Sequence, residues 1–372
     1  MKVIFTLDTL GNSGTEKSTL DIISAFSPDT EIKVVAFFPG NDLRQSFADA
    51  NIPVFDLNLS PKNSWINAIA EFKKIIKNEK PDVVVSSILR SNIISRIACW
   101  QTNTKLVGTF VSDSYSNIRI QSFSLKRKIA FYFFYFLDRI TSSIPKLWIS
   151  NSNYIKQSNC LKLNINSKLV EVIYRGRNSE FFKEKINRLT NNSFRFVFVA
   201  RLLETKGLKE LIDAFAEVSK KHPEATLSIY GEGNFKTKII QQIQRLQLEN
   251  KIVLHGMVPD AWKNLYEADC FIFPSWYEGF SGSLVEAMLV GIPIIASDIP
   301  MNLEAVTNNK TALIYEVKNT EQLTAQMIKS ITSYDKMIEL GAAARKEALV
   351  RFDIKIIASQ YENILKRVAE SR

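Results

Sequence analysis

The chain has 372 residues, 46% of them hydrophobic, which is more than one core organises comfortably and leads us to expect two domains. Cys99, Cys160 and Cys270 are scattered and form no CxxC, which excludes a disulfide framework and a cysteine zinc site and suits a reducing compartment. The net charge of +10 is local: residues 101–185 hold 14 Lys and Arg against 5 Asp and Glu, while the flanking stretches are balanced at 11 against 11 and 23 against 22. Such a basic segment asks for a polyanionic partner, nucleic acid or anionic lipid.

The opening MKVIFTLDTLGNSG passes from a short apolar strand into a glycine turn, without the basic, apolar and cleavage regions of a signal peptide. A cytoplasmic location follows as the expectation. Strands are predicted at 2–7, 31–38, 53–59, 82–87, 105–111, 146–150 and 169–174, with helical stretches between most of them. Strand-then-helix alternation implies right-handed crossovers and a parallel sheet covered on both faces. The polar segment 184–193 reads as a linker. The pattern then restarts, with strands at 194–202, 225–231, 251–257, 270–275, 293–298 and 312–317. Between the first two of these, Leu208, Leu211, Ile212, Phe215 and Val218 recur at helical spacing and define one buried face. Two doubly wound halves joined by a linker imply a central cleft, and ligands of such sheets bind beyond the carboxyl ends of the strands.

Two segments of the second half carry chemistry. In ARLLETKG (200–207), Arg201 ends a strand, and Lys206 precedes Gly207 and a helix. Two cations beside a helix N-terminus suit a diphosphate, although each could equally be a solvated loop charge. In EGFSGSLVE (278–286), Ser283 and Glu286 have the spacing of a capping box. Capping leaves Glu278, Gly279 and Gly282 unexplained. It also leaves the Glu286 carboxylate in an apolar helix, where it needs a polar partner. Ser13 and Glu16 read more simply as a second capping box.

The stretch PSWYEGFSGSLVEAMLVGIPIIASD resembles the signature of retaining glycosyltransferases of family four, whose E-x7-E motif is met by Glu278 and Glu286. The similarity extends to ARLLETKGLKELIDAF, SIYGEG (228–233), VLHGMV (253–258), LGNSGTEKSTL (10–20) and the closing FDIKIIASQYENIL (352–365). This resemblance implies an α/β GT-B fold: two Rossmann-like doubly wound domains, 1–187 on the acceptor side and 188–351 binding a sugar nucleotide. The terminal 352–372 would cross back to the first domain. Family roles would give Arg201 and Lys206 the diphosphate, Glu286 the ribose hydroxyls and Glu278 the donor sugar. The backbone amides of Phe280, Ser281, Gly282 and Ser283 would lie along sugar and phosphates, Gly256, Met257 and Val258 would flank the base, and Gly11 and Gly14 would approach the phosphates from the first domain. Where relatives often carry histidines this chain has VVVSSI and TFVSDS, so Ser112 or Asp113 would face the donor sugar instead.

The implied reaction retains the anomeric configuration and needs no cofactor and no metal, and the chain contains no D-x-D triplet. Of its two histidines, His255 reads as structural and His222 as part of a surface turn. Donor preference would run UDP-sugar, then GDP-mannose, and the acceptor would be a glycan or a lipid-linked glycan in bacterial surface polysaccharide or lipopolysaccharide synthesis. An epimerase or phosphorylase of the same fold, or a non-catalytic sugar-nucleotide-binding protein, are the competing readings. An assay without acceptor separates the first two from a transferase.

Residues 123–139, FSLKRKIAFYFFYFLDR, join three consecutive cations to six consecutive aromatics at 131–136, and their uninterrupted apolar run of nine residues is too short to span a bilayer. Two readings stand: a core helix with a solvated basic start, or an interfacial helix setting Lys126, Arg127 and Lys128 on anionic lipid at the inner face of the membrane. Nucleic acid is disfavoured, because the aromatics run consecutively instead of being spaced along a strand surface.

Overall fold

The computed structural model describes residues 1–60, 64–116, 120, 124–185 and 193–371. It divides into two compact units, Met1–Gly176 with Ile354–Arg372, and Arg177–Asp353. Residues 177–185 therefore belong to the second unit, where the sequence pattern had put them in the first. Of the expected linker, 186–192 lie outside the described residues, and Lys185 is held in the second unit by Nζ on the Tyr266 carbonyl at 2.6 Å.

The first unit is built on β1 (Lys2–Leu7), β2 (Glu31–Ala36), β3 (Val54–Asp56), β4 (Val83–Ser86), β5 (Leu106–Phe110), β6 (Leu147–Ser150) and β7 (Val170–Val172). Their order is β3-β2-β1-β4-β5-β6-β7, and every pairing is parallel. Side chains alternate across the sheet, so β1 sends Val3, Phe5 and Leu7 into one core and Ile4 into the other. Both faces are covered, which is why these strands read as continuous apolar runs. The helix Ile354–Glu370 closes the first of those cores with Ile357, Ile364, Leu365 and Val368.

The second unit repeats the design with β8 (Phe194–Val199), β9 (Ala225–Tyr230), β10 (Ile252–Gly256), β11 (Cys270–Phe273), β12 (Ile294–Ser297) and β13 (Leu313–Tyr315), ordered β10-β9-β8-β11-β12-β13 and again parallel. On the helix Leu208–Lys221 the expected face of Leu208, Leu211, Ile212, Phe215 and Val218 is fully buried.

The basic aromatic stretch forms the helix Leu125–Thr141 of the first unit; Phe123 lies outside the described residues. Its two sides differ. Inward, Phe131 and Tyr135 pack toward Tyr115 and Trp148, and Phe134 stacks on Trp65 at 5.1 Å. Asp138 is buried there, accepting from Arg96 Nη1 at 2.6 Å and from the Tyr115 hydroxyl, while the Arg96 guanidinium lies 4.6 Å over the Trp148 ring. Gly108 on β5 makes room for that ring, since a Cβ would come within 2.4 Å of it. Outward, Leu125, Ile129, Tyr132, Phe133, Phe136 and Ile140 are exposed. Among the described residues no helix is long and apolar enough to cross a membrane.

Candidate active site

In each sheet the connections reverse direction beside the first strand, between β1 and β4 and between β8 and β11. Loops leaving the carboxyl ends of two such strands diverge and leave a crevice, the usual ligand position of an open parallel sheet.

In the second unit the loop after β8 carries Arg201 and Lys206, and the loop after β11 carries Glu278 and the start of the helix Gly282–Val290. The two loops are tied together by the Trp276 N–H on the Thr205 carbonyl at 2.9 Å. They also touch at Gly207, whose φ is +70° and whose Cβ would stand 2.1 Å from the Pro274 carbonyl oxygen. Only glycine satisfies both conditions. The Lys206 ammonium donates to the Glu278 carboxylate, both side chains being nearly buried. Arg201 is exposed, and among the described residues its guanidinium forms no ion pair.

The loops after β9 and β10 join the same edge. The Leu202 N–H bonds the Glu232 carbonyl at 2.9 Å and the Gly231 N–H bonds the Gly256 carbonyl at 2.7 Å. The segments 200–207, 228–233, 253–258 and 274–286, which stand far apart in sequence, are thus gathered at the carboxyl ends of β8 to β11. Met257 is exposed there, Val258 partly so, and Gly256 has φ +73°. His255 is exposed and stacks on Tyr230 at 4.3 Å; His222 caps the helix Leu208–Lys221.

The capping expectation needs correction. Ser281, not Ser283, is the N-cap, its hydroxyl accepting the Leu284 N–H at 3.3 Å. Ser283 lies inside the first turn and Glu286 is the fifth helical residue, past the position of a capping-box glutamate. Glu286 instead takes the Arg177 Nε at 2.7 Å, so the polar partner its burial demanded is a residue 109 positions away. Arg177 was not singled out in the sequence; its only signal was its place in VIYRGRN, directly after β7. Phe280 is 2% exposed and its ring packs on Phe352 at 5.4 Å, so the ring is not open to a ligand. The N–H groups of Gly282 and Ser283 precede the first intrahelical bond and, with the positive helix end, favour an anion.

In the first unit Gly11 and Gly14 follow β1, and Ser13 is the N-cap of the helix Gly14–Ile23. The expected box is not closed: the Ser13 hydroxyl bonds the Glu16 carboxylate and makes no side-chain cap to the helix backbone. Glu16 is buried, and burial lifts its carboxyl pKa above the usual range. Asp8, which no sequence motif marks, is buried in the same unit and accepts from Arg90 Nε and the Ser91 N–H, both at 2.9 Å. Ser91 lies in the first turn of the helix Leu89–Thr102, whose N-cap Ile88 has φ +74° and ψ 152°, a strained conformation for a β-branched residue. Asp113 is turned inward, 3% exposed, and accepts the Tyr115 N–H of its own turn; Ser112 is partly exposed. Among the described residues no group of three or more His, Cys, Asp or Glu could hold a metal ion.

Two doubly wound parallel sheets, with two carboxylates, two cations and a helix start gathered beyond one of them, are the architecture of a GT-B glycosyltransferase. Two family models match in tandem, "Glycosyltransferase Family 4" over residues 12–181 and "Glycosyl transferases group 1" over 179–347, and the chain belongs to these glycosyltransferases. It is 23% identical over 316 residues, 82% of this chain and 83% of the relative, to the capsular polysaccharide biosynthesis glycosyltransferase CapM of Staphylococcus aureus. It is 24% identical over 302 residues, 78% and 76% of the two chains, to the Escherichia coli UDP-Gal:alpha-D-GlcNAc-diphosphoundecaprenol alpha-1,3-galactosyltransferase. A 28% identical match to an uncharacterized glycosyltransferase of Methanocaldococcus jannaschii covers 60% of this chain and spans 57% of that relative's length. The fold is that of Anabaena HepE, solved with UDP-glucose, at a TM-score of 0.84 and 22% identity over 99% of this chain and all of that one.

Proposed function

We propose that the chain moves a sugar from a nucleoside diphosphate, a UDP-sugar first and GDP-mannose next, onto a glycan or lipid-linked acceptor, with retention and without a metal. The setting would be the synthesis of a bacterial surface polysaccharide or lipopolysaccharide, worked from the inner face of the cell membrane. The observation that carries this reading is the Lys206 and Glu278 pair at the crevice between β8 and β11, with Arg201 open beside it and the start of the helix Gly282–Val290 on the same edge. The relatives support it: one acts in capsular polysaccharide synthesis and one on a diphosphoundecaprenol-linked sugar.

The chemistry follows from where charge develops. As the bond from anomeric carbon to diphosphate oxygen breaks, negative charge grows on the leaving diphosphate. Cations and amides already in place stabilise that state more than the ground state. Arg201, Lys206 and the N–H groups of Gly282 and Ser283 would supply them. The acceptor hydroxyl forms the new bond on the same face of the sugar, and its proton passes to the departing phosphate oxygen, so no separate base is required. Glu278 would hold the sugar hydroxyls and Glu286, oriented by Arg177, the ribose.

The test is a thermal-shift screen against UDP-, GDP-, ADP- and CMP-sugars, since a ligand at 100 times its Kd adds about 2.7 kcal/mol to the folded state. A UDP-sugar is expected to give the largest shift, followed by transfer in the presence of EDTA with the donor's anomeric configuration kept in the product. If no sugar nucleotide raises the midpoint, the reading fails.

A further inference from the structure

The outer face of the helix Leu125–Thr141 is a second feature that calls for a ligand. Leu125 is 76% exposed, Phe133 59% and Phe136 60%, and with Ile129, Tyr132 and Ile140 they recur at intervals of three and four residues. At about 100° per residue they fall in one stripe, roughly a quarter to a third of the helix circumference wide. Lys126 borders the stripe on one side, and Arg139 and Lys128 border it on the other. The only acid of the helix, Asp138, is turned inward and neutralised by Arg96.

From this placement we infer that the outer face of the helix is a docking surface for anionic lipid: the six apolar side chains enter the headgroup boundary and the flanking cations meet lipid phosphates. Charge complementarity selects this occupant. Phe and Leu side chains on the apolar face of a basic helix bury at the headgroup boundary, where the Tyr132 hydroxyl can stay wet, and basic side chains beside them gain from the negative surface potential. A second copy of the chain is a poor fit, because a two-fold contact through this stripe would set cation against cation with no exposed acid on the helix to answer them. The helix is held from behind by Trp65, Tyr115, Arg96 and Trp148, so the face is presented without needing to fold on the lipid.

The inference deepens the reading above, on which it rests only in supposing that the acceptor is met at a bilayer, and its test uses no sugar. Flotation of the full chain is measured with phosphatidylcholine vesicles and with vesicles of phosphatidylcholine and phosphatidylglycerol in equal parts. Binding is expected to the second kind and to fall with added salt. Phe133→Ser with Phe136→Ser should weaken it at least about tenfold. Lys126→Gln, Lys128→Gln and Arg139→Gln together should weaken it by about a hundredfold, roughly fivefold per charge, and flatten the salt dependence. All five side chains lie at or near the surface, and an unchanged thermal midpoint confirms that each variant is folded. Equal flotation of wild type and both variants, or no flotation at all, overturns the proposal. So does a concentration-dependent dimer in sedimentation that the double Phe variant abolishes, since the stripe is then a protein interface. Stabilisation by a UDP-sugar in solution is scored separately, so the docking surface and the transfer reaction can fail independently.

Discussion

Replacing Glu278 by Gln should move binding and turnover in opposite directions. In the folded chain Glu278 and Lys206 neutralise each other with side chains only 11% and 12% exposed, so charges act on one another there at an effective dielectric nearer about 20 than 80. A diphosphate seated on Lys206 at roughly 5 Å from the Glu278 carboxylate would feel a repulsion of about 3 kcal/mol per unit charge. Counter-ions and the neighbouring Arg201 reduce that to on the order of 1 kcal/mol, or about fivefold in affinity. Glu278→Gln is therefore expected to bind free UDP about fivefold more tightly, while kcat falls by about a hundredfold or more because the carboxylate no longer acts on the donor sugar. Titration calorimetry with UDP and initial rates with the donor identified by thermal shift measure the two effects. Weaker UDP binding, or a kcat within about tenfold of wild type, would refute the assignment of Glu278 to both the pair and the sugar.

Arg177→Leu removes the partner of a carboxylate that is 17% exposed, and should destabilise the second unit by about 1–3 kcal/mol and lower UDP affinity, with Arg177→Lys recovering part of each; urea unfolding with UDP titration reads both. Glu16→Gln tests the buried carboxylate of the first unit. Its pKa is raised in the folded state, so ionisation there opposes folding: the penalty is absent below the unfolded pKa and grows as pH rises through the folded one. The variant should be more stable than wild type at neutral pH, and the gain should vanish toward about pH 4. An equal gain at both pH values would place the effect elsewhere.

The sheets were legible because buried parallel strands declare themselves as apolar runs, and each of the thirteen expected strands contains an observed one. Positions along the chain were easier to read than partners across it. Nothing local to Glu286 pointed to Arg177, and nothing in TLDTLG marked Asp8 as the acceptor for the start of the helix Leu89–Thr102. The cap was misassigned because the run Ser281-Gly282-Ser283 offers two hydroxyls, and only the backbone path, extended at Ser281, decides between them. For residues 125–141 apolar side chains lie on all sides, so periodicity could not separate the face packed on Trp65 and Tyr115 from the one in solvent. Local sequence set the elements; the pairings that tune charges in the site depend on loops that meet only in the folded sheet.

The helix Ile354–Glu370 also bears on how the chain is made. It contributes Ile357, Ile364, Leu365 and Val368 to the core shared with Val3, Phe5 and Leu7, and Glu362 accepts from Thr30 at 2.7 Å. During synthesis the β1 to β7 sheet leaves the ribosome first yet lacks one wall of its core until residue 370 has emerged. The second unit, Arg177–Asp353, is contiguous and can close as soon as it is out. Order of translation and order of completion are thus inverted, and the first unit spends that interval with part of an apolar core open, the kind of transient exposure that makes an incomplete chain prone to aggregate.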